Sequence, residues 1–134
     1  MDDKKILIVD DEEVIRDLLN KIFTSEGYTV RMAEHAEKAM EILKKESIMV
    51  MFLDLNLIGE TNGIELCRKI RKDNYVGIIY ALTGYTDLFS LLACRSAGFD
   101  DFFTKPVSIE TLLESSEQAF KKLDRWQVSE LNLV

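Results

Sequence analysis

The chain has 134 residues, with 24 Asp and Glu against 17 Lys and Arg, a formal charge of −7 and 47% hydrophobic content. That is enough for one packed core, and six Gly with one Pro exclude a collagen-like or disordered chain. So acidic a chain is a poor partner for nucleic-acid phosphates, and its longest apolar run, Ile48–Leu53, falls far short of the ~18 residues of a membrane helix. The start, Met1-Asp2-Asp3-Lys4-Lys5, has no apolar leader or small-residue cleavage site, so a cytoplasmic protein is expected.

Lys5–Val9 is a short β-branched run that stops at an acid pair, which predicts a buried strand. Val14, Ile15, Leu18, Leu19, Ile22 and Phe23 recur at helical spacing, and Gly27 stands where a helix stop is expected. Tyr28–Met32 reads as the second strand and Ala36–Glu46 as the second helix. His35, the only histidine, precedes that helix and is expected to cap it or to lie on the surface. Ile48–Leu53 is the third strand, and a polar loop leads into a helix over Gly63–Lys72, whose basic stretch Arg68–Lys72 reads as a solvated face. Val76–Leu82 is the fourth strand, and the next helix is expected to take Thr86 as N-cap and to stop at Gly98. Asp101–Thr104 is the fifth strand. Ser108 caps a last helix with Ile109, Leu112, Leu113, Phe120 and Leu123 on one stripe. Cys67 and Cys94 fall in helical patterns and read as small buried hydrophobes rather than a disulfide framework.

Near-continuous apolar strands alternating with amphipathic helices predict an α/β fold with a doubly wound parallel sheet. The flavodoxin-like strand order 2-1-3-4-5 is the economical one, and its ligand crevice lies at the carboxyl ends of strands 1 and 3. Strand 1 ends in Asp10-Asp11, strand 3 in Asp54, strand 4 in Thr83, and strand 5 in Lys105-Pro106. Turn and cap chemistry explains any one of these alone, but not all five on the predicted ligand edge. Three converging carboxylates repel one another, and a hard divalent cation such as Mg²⁺ relieves this with oxygen ligands. Asp11 and Asp54 are placed to bind it directly, and Asp10 directly or through water. One Asp54 oxygen is then free to attack a phosphoryl group, with Lys105 and the Thr83 hydroxyl meeting the new charge.

These marks resemble the receiver domain of two-component response regulators over about residues 4–125. They are Ile6–Glu12, Phe52-Leu53-Asp54-Leu55, Ala81-Leu82-Thr83-Gly84, Ser96-Ala97-Gly98 and Thr104-Lys105-Pro106, and their order and spacing are what make them specific. The resemblance implies that Asp54 accepts phosphate from the phosphohistidine of a sensor histidine kinase or a histidine phosphotransfer protein. It also implies that Asp10, Asp11, Asp54 and the Asn56 carbonyl bind Mg²⁺ and that Lys105 contacts the phosphoryl group. Thr83 and Phe102 fall where that family places its switch pair. Residues 1–125 are then the receiver unit, with 126–134 a tail too short for an output domain, and the module is expected to signal rather than to act as an enzyme.

Two departures stand out. The family commonly has proline where Ile58 follows Leu57, and a glycine eight positions after the aspartate. Here Gly63 stands nine positions after Asp54, so the loop Asn56–Asn62 is expected to be longer and freer. Val107 replaces a frequent phenylalanine. In the fourth helix, Phe89 and Leu92 exceed what one core stripe holds and are expected to face a downstream protein or a second copy of the chain. Asn56 and Tyr85, at the mouth of the site by resemblance, are expected to set the lifetime of the phosphate. Two alternatives compete with this reading. A phosphatase of the haloacid dehalogenase type would need an acid where Asn56 stands. A constitutive interaction module would never be phosphorylated.

Overall fold

The computed structural model describes residues 3–57, 59–84 and 88–131, with the backbone alone for 88, 89 and 127–131. The strands are β1 (Lys5–Val9), β2 (Thr29–Ala33), β3 (Val50–Asp54), β4 (Ile78–Thr83) and β5 (Asp101–Thr104). They alternate with α1 (Glu13–Ser25), α2 (Ala36–Lys45), α3 (Gly63–Lys72), α4 (Leu88–Ala97) and α5 (Ile109–Leu131). All pairings are parallel, in the order β2-β1-β3-β4-β5. This is the expected doubly wound, flavodoxin-like sheet.

Because strand side chains alternate faces, the sheet feeds two cores. Leu7, Val9, Met51, Leu53 and Ile79 pack on Ala36 and Ala39 of α2 and Leu66, Cys67 and Ile70 of α3. Ile6, Ile8, Val50, Phe52 and Tyr80 face the other way, onto Leu19, Ile22 and Phe23 of α1 and Leu112 and Ala119 of α5. Phe23, Phe52, Tyr80 and Phe103 form a chain of rings with successive centroids 5.2 Å apart. Each fully buried aliphatic or aromatic side chain contributes about 1.5–3 kcal/mol, so the two cores dominate stability.

The differences from the sequence reading have local causes. Tyr28 does not start β2, because its N–H donates to Phe23 O while Gly27 N–H donates to Thr24 O, with Gly27 at φ +90°. That paired closure ends α1 and needs a left-handed residue, which glycine supplies. Val76 lies outside β4 and is 76% exposed, and Ile48 is buried but precedes β3. On α1, Val14 (77% exposed) and Leu18 (49%) lie to the side of the buried stripe of Leu19, Ile22 and Phe23. Ile109 likewise sits off the α5 stripe, exposed. That helix crosses residue 125 and continues to Leu131, so the predicted tail is partly helical. Other expectations hold. His35 Nδ1 accepts from Lys38 N–H and caps α2, Ser108 Oγ accepts from Thr111 N–H before α5, and both cysteines are free and buried. Thr86 lies outside the described residues.

Candidate functional site

The carboxyl edge of the sheet gathers the predicted residues. Asp10 follows β1 and is fully buried, with each polar atom engaged. Its N–H continues the sheet to Ala33 O (3.1 Å), its Oδ1 accepts from Glu12 N–H (2.9 Å), and its carbonyl accepts from Arg16 Nη1 (2.8 Å). Its Oδ2 takes the ammonium of Lys105 at 2.9 Å. Asp54 is the last residue of β3, buried, with Oδ1 accepting from Asn56 N–H at 3.1 Å and lying 3.6 Å from Lys105 Nζ. Glu12 Oε1 is 3.9 Å from the same ammonium.

Lys105 reaches this point because β5 pairs with β4 as far as Thr83–Thr104, and Lys105 N–H then donates to Thr83 O at 2.8 Å. The Lys105–Pro106 peptide is cis. Thr83 closes β4, buried, one residue beyond the Leu82 that pairs with Asp54. Phe102 is not a core aromatic. It is 36% exposed, whereas the neighbouring Phe103 packs edge-on to Tyr80.

Three carboxylates (Asp10, Glu12 and Asp54) thus meet one ammonium, and the Asp11 carboxylate lies beside those of Asp10 and Glu12. Burial is the main force on Asp54 and raises its pKa. The Asn56 N–H and Lys105 pull it down, while the charges of Asp10 and Asp11 push it further up. For Lys105, burial alone would lower the pKa. The hydrogen bond and charge of Asp10, with Asp54 and Glu12, outweigh it and hold the ammonium above the ordinary lysine value. Carboxylate oxygens of Asp10, Asp11 and Glu12 lie within 4.8 Å of one another, a hard-oxygen donor set that suits a hard divalent cation. Glu12 is the member that sequence reasoning passed over as a ligand. It stands next to the acid pair, and only the tight turn from Asp10 to α1 brings its side chain back toward the cluster.

The loop after β3 is fastened at both ends. Gly63 N–H donates to Leu55 O (3.2 Å), and Asn62 Oδ1 caps α3 at Glu65 N–H (2.9 Å). A Cβ at Gly63 would run into the Asp54 carbonyl oxygen and Leu55 Cα, so only glycine lets α3 start this close to the buried aspartate. Gly59 adopts φ +122°, a left-handed value consistent with the extra residue in the loop. Thr61 is buried there and accepts from Lys69 Nζ at 3.3 Å. Asn56 is exposed beside the site. Tyr85 and Ile58 lie outside the described residues, as does the Phe89 side chain, whereas Leu92 is 58% exposed and Cys94 and Ala97 on the same helix are buried. A cavity of about 320 Å³ opens elsewhere, between the start of β4 and β5 and the later turns of α5, and none of the acidic-site residues, Thr83, Lys105 or Phe102 lines it.

A family model described as the response regulator receiver domain matches residues 6–117. The chain is 35% identical to the TorCAD operon transcriptional regulatory protein TorR of Escherichia coli K12, over 89% of this chain and 51% of that protein. It is 36% identical to a cyclic di-GMP phosphodiesterase of Thermotoga maritima, over 80% of this chain and 28% of that protein. The chain therefore spans about half, or less, of the length of these curated relatives. Among solved structures, a CheY-like response regulator receiver domain protein of Methanospirillum hungatei JF-1 superposes with a TM-score of 0.87 at 30% identity, covering 92% of this chain and 98% of that one. No helix among the described residues is long and apolar enough to cross a membrane.

Proposed function

The chain belongs to the response regulator receiver domain family of two-component signalling, and on that premise we propose that Asp54 accepts a phosphoryl group from a phosphohistidine and thereby switches partner binding. The donor is a sensor histidine kinase or a histidine phosphotransfer protein. The observation that carries the reading is the charge imbalance at the sheet edge, where Lys105 Nζ lies 2.9 Å from Asp10, 3.6 Å from Asp54 and 3.9 Å from Glu12. That edge is short of positive charge until a cation, and then a phosphoryl group, arrive.

Asp10, Asp11, Asp54 and the Asn56 carbonyl would hold Mg²⁺, with Glu12 beside Asp10 and Asp11. A divalent cation held there would supply charge screening for the phosphoryl oxygens. A carboxylate oxygen of Asp54 attacks phosphorus, the O–P bond forms as the P–N bond of the donor breaks, and the donor imidazole leaves with the electron pair. Lys105 exchanges Asp10 for a phosphoryl oxygen, a move of a few ångströms for a side chain already shared among three acids. The Thr83 hydroxyl turns toward the phosphate, and Phe102, half outside the sheet edge, rotates inward. Leu92 and Phe89 of α4 take a downstream protein or a second copy. Asn56 and Tyr85 govern how readily water reaches the phosphorus, and neither is a base near neutral pH. Residues 1–125 are the unit that carries this function.

Intact-mass analysis with acetyl phosphate as donor tests the reading. Wild type is expected to gain one phosphoryl mass with Mg²⁺ and none with EDTA, and Asp54→Asn none in either. Equal labelling of wild type and Asp54→Asn would refute it.

A further inference from the structure

A second cation reaches the acid edge without touching a carboxylate. Arg16 leaves the first turn of α1, where its own N–H donates to Glu12 O at 3.0 Å, and its guanidinium turns back so that Nη1 donates to the Asp10 carbonyl at 2.8 Å. That carbonyl is half of the Asp10–Asp11 peptide. Of the other contacts of Asp10, those to Ala33 O and Lys105 Nζ lie away from that peptide, while Glu12 N–H closes a turn across it onto Oδ1; Arg16 is the contact that holds its carbonyl directly. The orientation of that peptide decides the direction in which the Asp11 side chain leaves the backbone.

We propose that Arg16 is a positioning residue that clamps the Asp10–Asp11 peptide, so that the Asp11 carboxylate stays in the oxygen cluster with Asp10 and Glu12. This rests on the reading that the cluster takes a divalent cation. Groups that orient metal ligands typically change metal affinity by about 10- to 100-fold when removed. Two physical effects of Arg16 have opposite signs. As a bare positive charge it repels Mg²⁺, so its removal would tighten binding. As a clamp it pre-orders a ligand, so its removal loosens binding. The 2.8 Å bond to a carbonyl, in a partly buried position, favours the clamp. Lysine keeps the charge but replaces the planar fork with a single ammonium.

The test is calorimetric Mg²⁺ titration of the full chain as wild type, Arg16→Met and Arg16→Lys, at matched ionic strength. Hydrogen exchange of the Asp11 and Glu12 amides and acetyl-phosphate labelling against Mg²⁺ concentration accompany it. Arg16→Met is expected to bind Mg²⁺ about tenfold more weakly, with faster exchange at both amides. Its labelling should need more Mg²⁺ but approach the wild-type rate at saturation. Arg16→Lys should fall between the two proteins. Equal or tighter Mg²⁺ binding by Arg16→Met overturns the clamp, as does a labelling defect that saturating Mg²⁺ leaves in place. If Arg16→Met does not fold, Arg16→Lys carries the test, and wild-type affinity in that variant overturns the proposal. Absence of Mg²⁺ binding by wild type would instead remove the metal reading itself.

Discussion

The two ends of the sheet gather charge in opposite ways. At the amino ends of the strands, Arg71 of α3 donates to Gly98 O (2.9 Å), Tyr75 O (3.0 Å), Gly77 O (2.9 Å) and Asp100 Oδ2 (2.9 Å). Asp100 in turn accepts from Ile79 N–H at 2.8 Å, and Tyr75 Oη donates to Ile48 O at 2.7 Å. One cation and one anion satisfy each other and tie down the segments leading into β4 and β5. At the carboxyl ends, three acids, Asp10, Glu12 and Asp54, share Lys105 with Asp11 close by, and burial, helped by the charges of Asp10 and Asp11, raises the pKa of Asp54 above that of an ordinary aspartate. A balanced network locks the fold, whereas an unbalanced one leaves acidic charge that a bound cation would relieve.

Substitutions should separate the two ends. Arg71→Met leaves three carbonyls and Asp100 without their donor, and should lower stability by about 3 kcal/mol in urea denaturation. Acetyl-phosphate labelling per folded molecule should stay near wild type. A loss below about 1 kcal/mol would mean that the clasp is not the lock described. Gly63→Ala forces a methyl against the Asp54–Leu55 backbone and should cost about 2 kcal/mol. Because the strain falls on Asp54, the proposed acceptor, labelling should slow here as well. Unaltered labelling would dissociate α3 placement from the site.

Asp54→Asn removes a charge that burial disfavours, so without metal it should raise stability by on the order of 1 kcal/mol at neutral pH. The sign follows from the raised pKa. Protonated Asp54 is favoured in the fold, so its contribution is complete below the unfolded carboxylate pKa and lost as pH rises through the higher folded value. The advantage of Asn should therefore be small in acid and should open as pH passes upward through and just above the carboxylate range. An advantage that shrinks with rising pH would contradict the assignment. Smallest of all, Leu92→Glu should change stability by less than about 0.5 kcal/mol, since that side chain is mostly exposed. Its effect should appear only in complex formation, and full retention of the complex would place the partner surface elsewhere.

Much of the site end was legible in the sequence because its chemistry is written at strand ends. Asp10, Asp11, Asp54, Thr83 and Lys105 each follow an apolar run, and a parallel sheet carries every such end to one edge. Glu12 is legible only as the end of the Ile6–Glu12 motif and Arg16 not at all, since their roles depend on how the first turn of α1 folds back on Asp10. The Arg71 clasp was missed for a similar reason. Within Arg68–Lys72 the charges look alike, and only packing turns Arg71 inward beneath Gly98 while Arg68, Lys69 and Lys72 stay in solvent. Strand limits slipped where one contact overrides propensity, as when the closure of α1 takes Tyr28 or the loop before β4 leaves Val76 outside.

The claim that the carboxyl edge awaits a cation is tested most directly by the melting temperatures of wild type and Asp54→Asn, without Mg²⁺ and at saturating Mg²⁺, at neutral pH and matched ionic strength. A ligand at a hundredfold above its Kd stabilises the folded state by about 2.7 kcal/mol, more than the on-the-order-of 1 kcal/mol that Asn gains by removing the charge. The order should therefore cross, with Asp54→Asn melting higher without metal and wild type melting higher with it. Parallel shifts of the two proteins, or no shift in wild type, would contradict the account.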